Sequence, residues 1–144
     1  PMLIPDDWMP ELSDRLGAYR ELAMCRTTDA VRGVLSDWEN RYGEPPPEVL
    51  NLGWAAEAKV RARKLGISHI RWKKVRVDLD FDPSSPVARE RIVALVSGDG
   101  QRFSLAPSPQ STEVDGGRLI VRFTPAEGEW PFRFLHWVFR QFED

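Results

Sequence analysis

Cysteine is almost absent from this 144-residue chain: Cys25 stands alone, which excludes an internal disulfide. The two histidines, His69 and His136, lie far apart, and with a single thiol they make no credible zinc set. One cysteine fits a reducing, cytoplasmic setting. An excess of one charge is missing as well. The 20 Lys plus Arg face 22 Asp plus Glu, divided as 9 basic against 11 acidic up to Gly66 and 11 against 11 beyond it. A general nucleic-acid binder needs a basic surplus to neutralise phosphate, so the balance argues against that class. No apolar run approaches the roughly 20 residues of a membrane span, and no signal peptide is visible. No G-x-x-x-x-G-K-S/T phosphate loop occurs, so a nucleotide-hydrolysing motor is not expected among these residues. The opening Pro1-Met2 is not a normal start, and the chain is read as a piece of a longer protein.

What is present is ordinary domain material, 42% hydrophobic and 29% charged, enough to fill one core and stay in solution. Pro1, Pro5 and Pro10 predict an extended leading segment over residues 1–10. Leu12, Leu16, Tyr19 and Ala23 then recur on one helix face, with Gly17 costing about 1 kcal/mol of propensity. Thr27-Thr28 caps a second helix whose stripe is Val31, Val34, Leu35, Trp38 and Tyr42, with Gly43 at its end. Pro45-Pro46-Pro47 precedes a third helix reaching Leu65, apolar on two sides and so expected to be sandwiched.

At Ile67 the period changes to two. Val75, Val77, Leu79 and Phe81 alternate with Arg76, Asp78, Asp80 and Asp82, a half-buried strand whose hairpin partner spans Ile67 to Lys73. Ser84-Ser85-Pro86 is read as the cap of a fourth helix through Val96. Strands near Arg102–Leu105 and Arg118–Phe123 flank a polar loop containing Asp115-Gly116-Gly117, and a last helix is expected from about Glu127. The order ααα-ββα-ββα, with antiparallel hairpins packed on helices, reads as α+β. The expected division is a leading segment 1–10 and a single domain 11–144, helical over 11–66 and ββαββα over 67–144.

Two stretches carry a resemblance. Ile4-Pro5-Asp6-Asp7-Trp8-Met9-Pro10 is followed by Arg15-Leu16-Gly17-Ala18-Tyr19-Arg20-Glu21-Leu22-Ala23. Further on stand Asn40-Arg41-Tyr42-Gly43, Glu44-Pro45-Pro46 and Lys64-Leu65-Gly66-Ile67. Over residues 3 to 70 these motifs resemble the C-terminal (TRCF) domain of the bacterial transcription-repair coupling factors, the Mfd family. Beyond residue 70 only the element order agrees.

The resemblance implies a longer parent, an ATP-driven DNA translocase that removes stalled RNA polymerase and recruits UvrA. Its motor domains, not this chain, would hold ATP and Mg, and no cofactor is expected here. The C-terminal domain of such a protein would pack on the N-terminal UvrB-like module and cover the UvrA-binding surface until polymerase and DNA are engaged. By position, the resemblance places the interdomain contact at Asp37, Asn40 and Arg41, with Asn40 standing where the family has an acid. Helical spacing puts the three beside the apolar stripe, and Asp37 and Arg41 are spaced as an i, i+4 ion pair. Asn40 removes a charge from a contact that charged hydrogen bonds would make stronger.

A second surface is possible over 61–76, where Arg61, Arg63, Lys64, Arg71, Lys73, Lys74 and Arg76 surround Trp72. That mixture suits phosphate contact and stacking, and makes an accessory nucleic-acid-binding domain the alternative function. Against it, Asp78, Asp80 and Asp82 dilute the charge at once, Trp72 suits the core equally well, and DNA binding by this piece is not expected. The three aspartates share a strand face, yet nothing in their pattern suggests the converging cage of a metal site. Asp6 and Asp7 are expected to bond backbone groups in a turn, and Cys25 to be a packed thiol. On the last helix Arg133, His136, Arg140 and Glu143 form a polar stripe. Trp130, Phe134 and Trp137 lie to one edge, either in the core or as a patch for a neighbour. No catalytic set converges anywhere in the chain, so an enzyme is the least favoured class.

Overall fold

A computed structural model of the chain describes residues 2–107, 117–129 and 131–143. Its elements are α1 (Leu12–Ala23), α2 (Thr28–Tyr42), α3 (Pro47–Lys64), β1 (Ile67–Trp72), β2 (Arg76–Phe81), α4 (Arg89–Gly98), β3 (Phe103–Pro107), β4 (Gly117–Arg122), α5 (Pro125–Glu129) and α6 (Phe132–Phe142). The class is α+β as expected, with one antiparallel four-stranded sheet ordered β1-β2-β4-β3. The chain divides into two compact units, Pro1–Arg61 and Ala62–Asp144.

In the first unit the helix signals act locally. Thr27 Oγ1 accepts the Ala30 N–H at 3.0 Å and so satisfies one orphan donor of α2. Gly43 ends that helix at φ 89°, a backbone position that glycine takes without a Cβ penalty. Val31 and Trp38 from α2 and Val49 and Val60 from α3 enter one core with Ile4, Met9 and Leu22. Gly53 lets α3 approach α2 closely, since a Cβ there would overlap the Leu35 side chain. Cys25 is buried in the same core, and burial, helped by the nearby Glu21 carboxylate, pushes its thiol up.

The inward face of α1 is not the expected one. Leu12, Leu16 and Tyr19 are 61%, 49% and 37% exposed, while Ala18 and Leu22 are buried. The leading segment selects the face. Ile4 and Met9 sit in the core, the Ile4 N–H donates to the Tyr19 hydroxyl at 2.7 Å, and Arg15 Nη1 donates to the Met9 and Pro10 carbonyls at 2.8 and 2.7 Å. That segment is also not simply extended: residues 6–9 turn, with the Pro5 carbonyl accepting the Trp8 and Met9 N–H groups at 3.2 and 3.1 Å. Asp6 and Asp7 are exposed and do not bond that turn among the described residues. On α3, Leu50 and Trp54 are exposed, so the expected two-sided burial of this helix is only partial.

In the second unit two hairpins meet at their β2 and β4 edges. Val77 pairs Val121, Leu79 pairs Leu119, and Val121 in turn pairs Phe103. These side chains face α6, whose Phe132, Leu135, Val138, Phe139 and Phe142 are buried. Edge contacts of Trp72 with Phe132 at 5.2 Å and of Phe81 with Phe142 at 5.8 Å join sheet and helix. Gly66 turns the chain into β1 at φ 70°, and a Cβ there would come within 2.5 Å of the Ser85 backbone.

Three expectations change in this unit. β2 is buried on both faces, Asp78 and Asp80 included, with Arg71, Arg76 and Arg118 laid against the aspartate side. Ser84 and Ser85 do not cap α4: the first bonds Asp82 Oδ1 and the second donates to the Leu65 carbonyl at 2.5 Å, and α4 starts later behind Ala88. The single last helix is two, because Pro131 has no N–H to bond back to Glu127 and disfavours helical backbone in the residue before it. α6 restarts behind it, with the Leu135 N–H on the Pro131 carbonyl at 3.0 Å. Of the polar loop expected between β3 and β4, Asp115 and Gly116 lie outside the described residues.

Candidate functional site

The last turns of α2 hold Asp37, Asn40 and Arg41, and all three are exposed. Their positions are fixed from behind, since Trp38 is buried and Tyr42 packs partly into the core beside Trp8, ring centroids 5.5 Å apart. The Tyr42 hydroxyl reaches Asp14 Oδ2 at 3.5 Å. Arg41 lays its guanidinium carbon 5.2 Å from the Tyr42 ring centroid. The expected Asp37–Arg41 ion pair does not form, and among the described residues the side chains of Asp37 and Asn40 have no partner. The structure therefore presents a carboxylate, an amide and a guanidinium together, each with bonding capacity left for another surface.

The basic stretch divides. Arg61 falls in the first unit, and Arg63, Lys64, Trp72, Lys73 and Lys74 fall in the second. Arg63, Lys64, Lys73 and Lys74 are exposed, whereas Trp72 is partly buried with its ring against Phe132. Arg71 and Arg76, which would have strengthened the patch, lie close to carboxylates: Arg71 Nε is 3.2 Å from Asp80 Oδ2 and Arg76 Nε is 3.2 Å from Asp78 Oδ1.

Those carboxylates form a cluster that the sequence reading placed on an exposed face. Asp80 is fully buried and receives Arg118 through Nε at 2.7 Å and Nη2 at 3.2 Å, a two-pronged grip from β4. Burial pushes the Asp80 carboxyl up, but hydrogen bonds and charge from Arg118 and then Arg71 outweigh it and hold the group below the usual carboxylate range. Asp78 is equally buried, and its Oδ1 lacks a hydrogen bond of good geometry. The cross-strand register shows how it could have been found: Arg71 lies opposite Asp78, and Arg118 opposite Asp80. This cluster joins three strands.

At the edge of α6, Phe134 is half-buried and Trp137 is 46% exposed, the two rings stacked at 5.7 Å and 11°. Trp130, expected beside them, lies outside the described residues. His69 is exposed with Nδ1 3.1 Å from Ser68 Oγ, and His136 is exposed on α6.

A family model described as the TRCF domain matches residues 1–92. The transcription-repair-coupling factor of Escherichia coli K12 is 25% identical over 105 residues, 73% of this chain and 9% of that protein. That of Borreliella burgdorferi is 22% identical over 109 residues, 76% of this chain and 10% of that protein, and that of Myxococcus xanthus 25% over 107, 74% and 9%. The chain thus spans about a tenth of the length of these relatives. A crystal structure of the C-terminal domain of transcription-repair coupling factor superposes with a TM-score of 0.68 at 12% identity, covering 99% of this chain and 91% of that one. No helix among the described residues is long and apolar enough to cross a membrane.

Proposed function

Because the chain belongs to the TRCF domain family, we propose that it is the regulatory interaction domain of a transcription-repair coupling factor. It packs on an N-terminal UvrB-like module of the same protein and masks the surface that UvrA would bind. The mask lifts when the ATP-driven translocase of the parent engages stalled RNA polymerase and DNA; ATP and Mg2+ belong to that motor. The observation that supports this most is the end of α2, where Asp37, Asn40 and Arg41 stand exposed on a rigid helix and the ion pair that would have used two of them is not made. Exposed ion pairs contribute only about 0.2–1 kcal/mol to a fold, so these charges are worth more to a partner than to the domain.

The test is a titration of this chain against the purified UvrB-like module, with UvrA as competitor. Asp37→Arg with Arg41→Asp should weaken the complex by about tenfold or more, the effect of losing one or two charged contacts. The same double variant in the full-length parent should bind UvrA more tightly while melting at the same temperature. An unchanged UvrA affinity would sink the masking reading.

A further inference from the structure

A groove of about 530 Å3 on the second unit is lined by Ala126, Glu127, Arg133, Phe134 and Trp137. Every one of these residues lies beyond the 1–92 stretch that the family model matches. Its size falls in the range of ligand-accepting clefts. Phe134 forms the apolar floor and is fixed on three sides: Phe103 stacks on it at 6.0 Å, Phe123 meets it edge-on at 6.2 Å, and the Arg102 guanidinium lies 3.9 Å from its ring centroid. Trp137 continues the stack and remains 46% exposed.

The charges around the groove are not equivalent. Glu127 is already committed, ion-paired to Arg102 and accepting the Thr124 N–H at 2.8 Å. Arg133 and Arg140 lie one turn either side of Trp137 on the exposed face of α6, and neither has a partner among the described residues. The groove thus joins an apolar floor to the uncommitted Arg133 in its lining, and Arg140 lies outside the lining, about 10 Å further along the helix. Exposed Trp and Arg side by side are the residues that most often dominate protein interfaces.

We infer that this groove docks an acidic protein segment, with an aromatic or aliphatic side chain seated on the exposed part of Trp137 and flanking carboxylates held by Arg133 and Arg140. A single nucleic-acid strand fits less well: one face of Trp137 is occupied by Phe134, and two arginines make a short phosphate track. The second unit also carries 13 basic against 11 acidic residues, a small surplus that suits an acidic peptide more than a polyanion.

The experiment is selection of the 144-residue chain against a phage-displayed random dodecamer library. The winning peptide is then measured by fluorescence anisotropy beside labelled oligothymidylate. Acidic peptides with a central apolar residue should be enriched. Binding should fall about tenfold or more in Trp137→Ala, fall similarly in Arg133→Glu with Arg140→Glu, and weaken as salt rises from about 50 to about 500 mM. Circular dichroism confirms that each variant is folded. No enrichment, enrichment of basic or neutral peptides, binding indifferent to both variants, or tighter binding of oligothymidylate at the same residues would each overturn the inference.

Discussion

The two units spend charge in opposite ways. The first carries 7 basic against 11 acidic residues, net −4, has none of its charged residues fully buried among those described, and leaves Asp37 and Arg41 exposed. The second carries 13 against 11, net +2, and places two carboxylates at the centre of its sheet, where arginines from β1 and β4 reach Asp80 and Arg76 of β2 lies beside Asp78. A surface charge costs the fold little and remains available to a partner. A buried one becomes part of the fold, because removing its partner strands a charge away from water.

That contrast breaks most visibly at Asp80. Asp80→Ala leaves Arg118 and Arg71 without their carboxylate and should cost about 3 kcal/mol. Hydrogen exchange should rise in β1, β2 and β4 while Thr28–Tyr42 stays protected; equal loss in both units would show that they do not act separately. The pH dependence has the same origin. The folded Asp80 carboxyl lies below the usual range, so its stabilisation is complete above about pH 4 and is lost as pH falls through the folded value. Urea midpoints of the parent chain should therefore drop steeply below that pH, and those of Asp80→Asn should drop less.

Gly66→Ala should cost about 2 kcal/mol, since it combines a positive φ with overlap on the Ser85 backbone, and thermal unfolding will read it. In the first unit Thr27→Ala should cost about 1 kcal/mol by removing the α2 cap. Its circular-dichroism melt should shift modestly, and peptide binding at the α6 groove should not change.

Much of this architecture can be read in the residues. The stripe of α2, the presence of a strand at β2 and the α+β order each follow from local spacing, because the neighbours of those elements agree with their intrinsic pattern. Where a distant segment decides, local spacing misleads. α1 has two competing apolar stripes, and the leading segment chooses the one with Ala18 and Leu22 through bonds to Arg15 and Tyr19. The burial of Asp78 and Asp80 requires strands that follow by some forty residues, and the α6 groove requires β3 beneath Phe134. Asp37, Asn40 and Arg41 were legible as exposed from the helix period, although the missing ion pair between them was not.

The strand order β1-β2-β4-β3 also bears on how the chain is made. β2 acquires its first neighbour from β1 almost immediately, but its second, β4, is joined to it through Asp80 and Arg118, 38 residues apart in sequence. During synthesis the first hairpin therefore emerges with an open hydrogen-bonding edge and a charged residue awaiting its counter-ion. A chain ending near residue 92, where the family match stops, would keep that edge open permanently. Such a truncation should associate with copies of itself through that edge, and size-exclusion chromatography would read it.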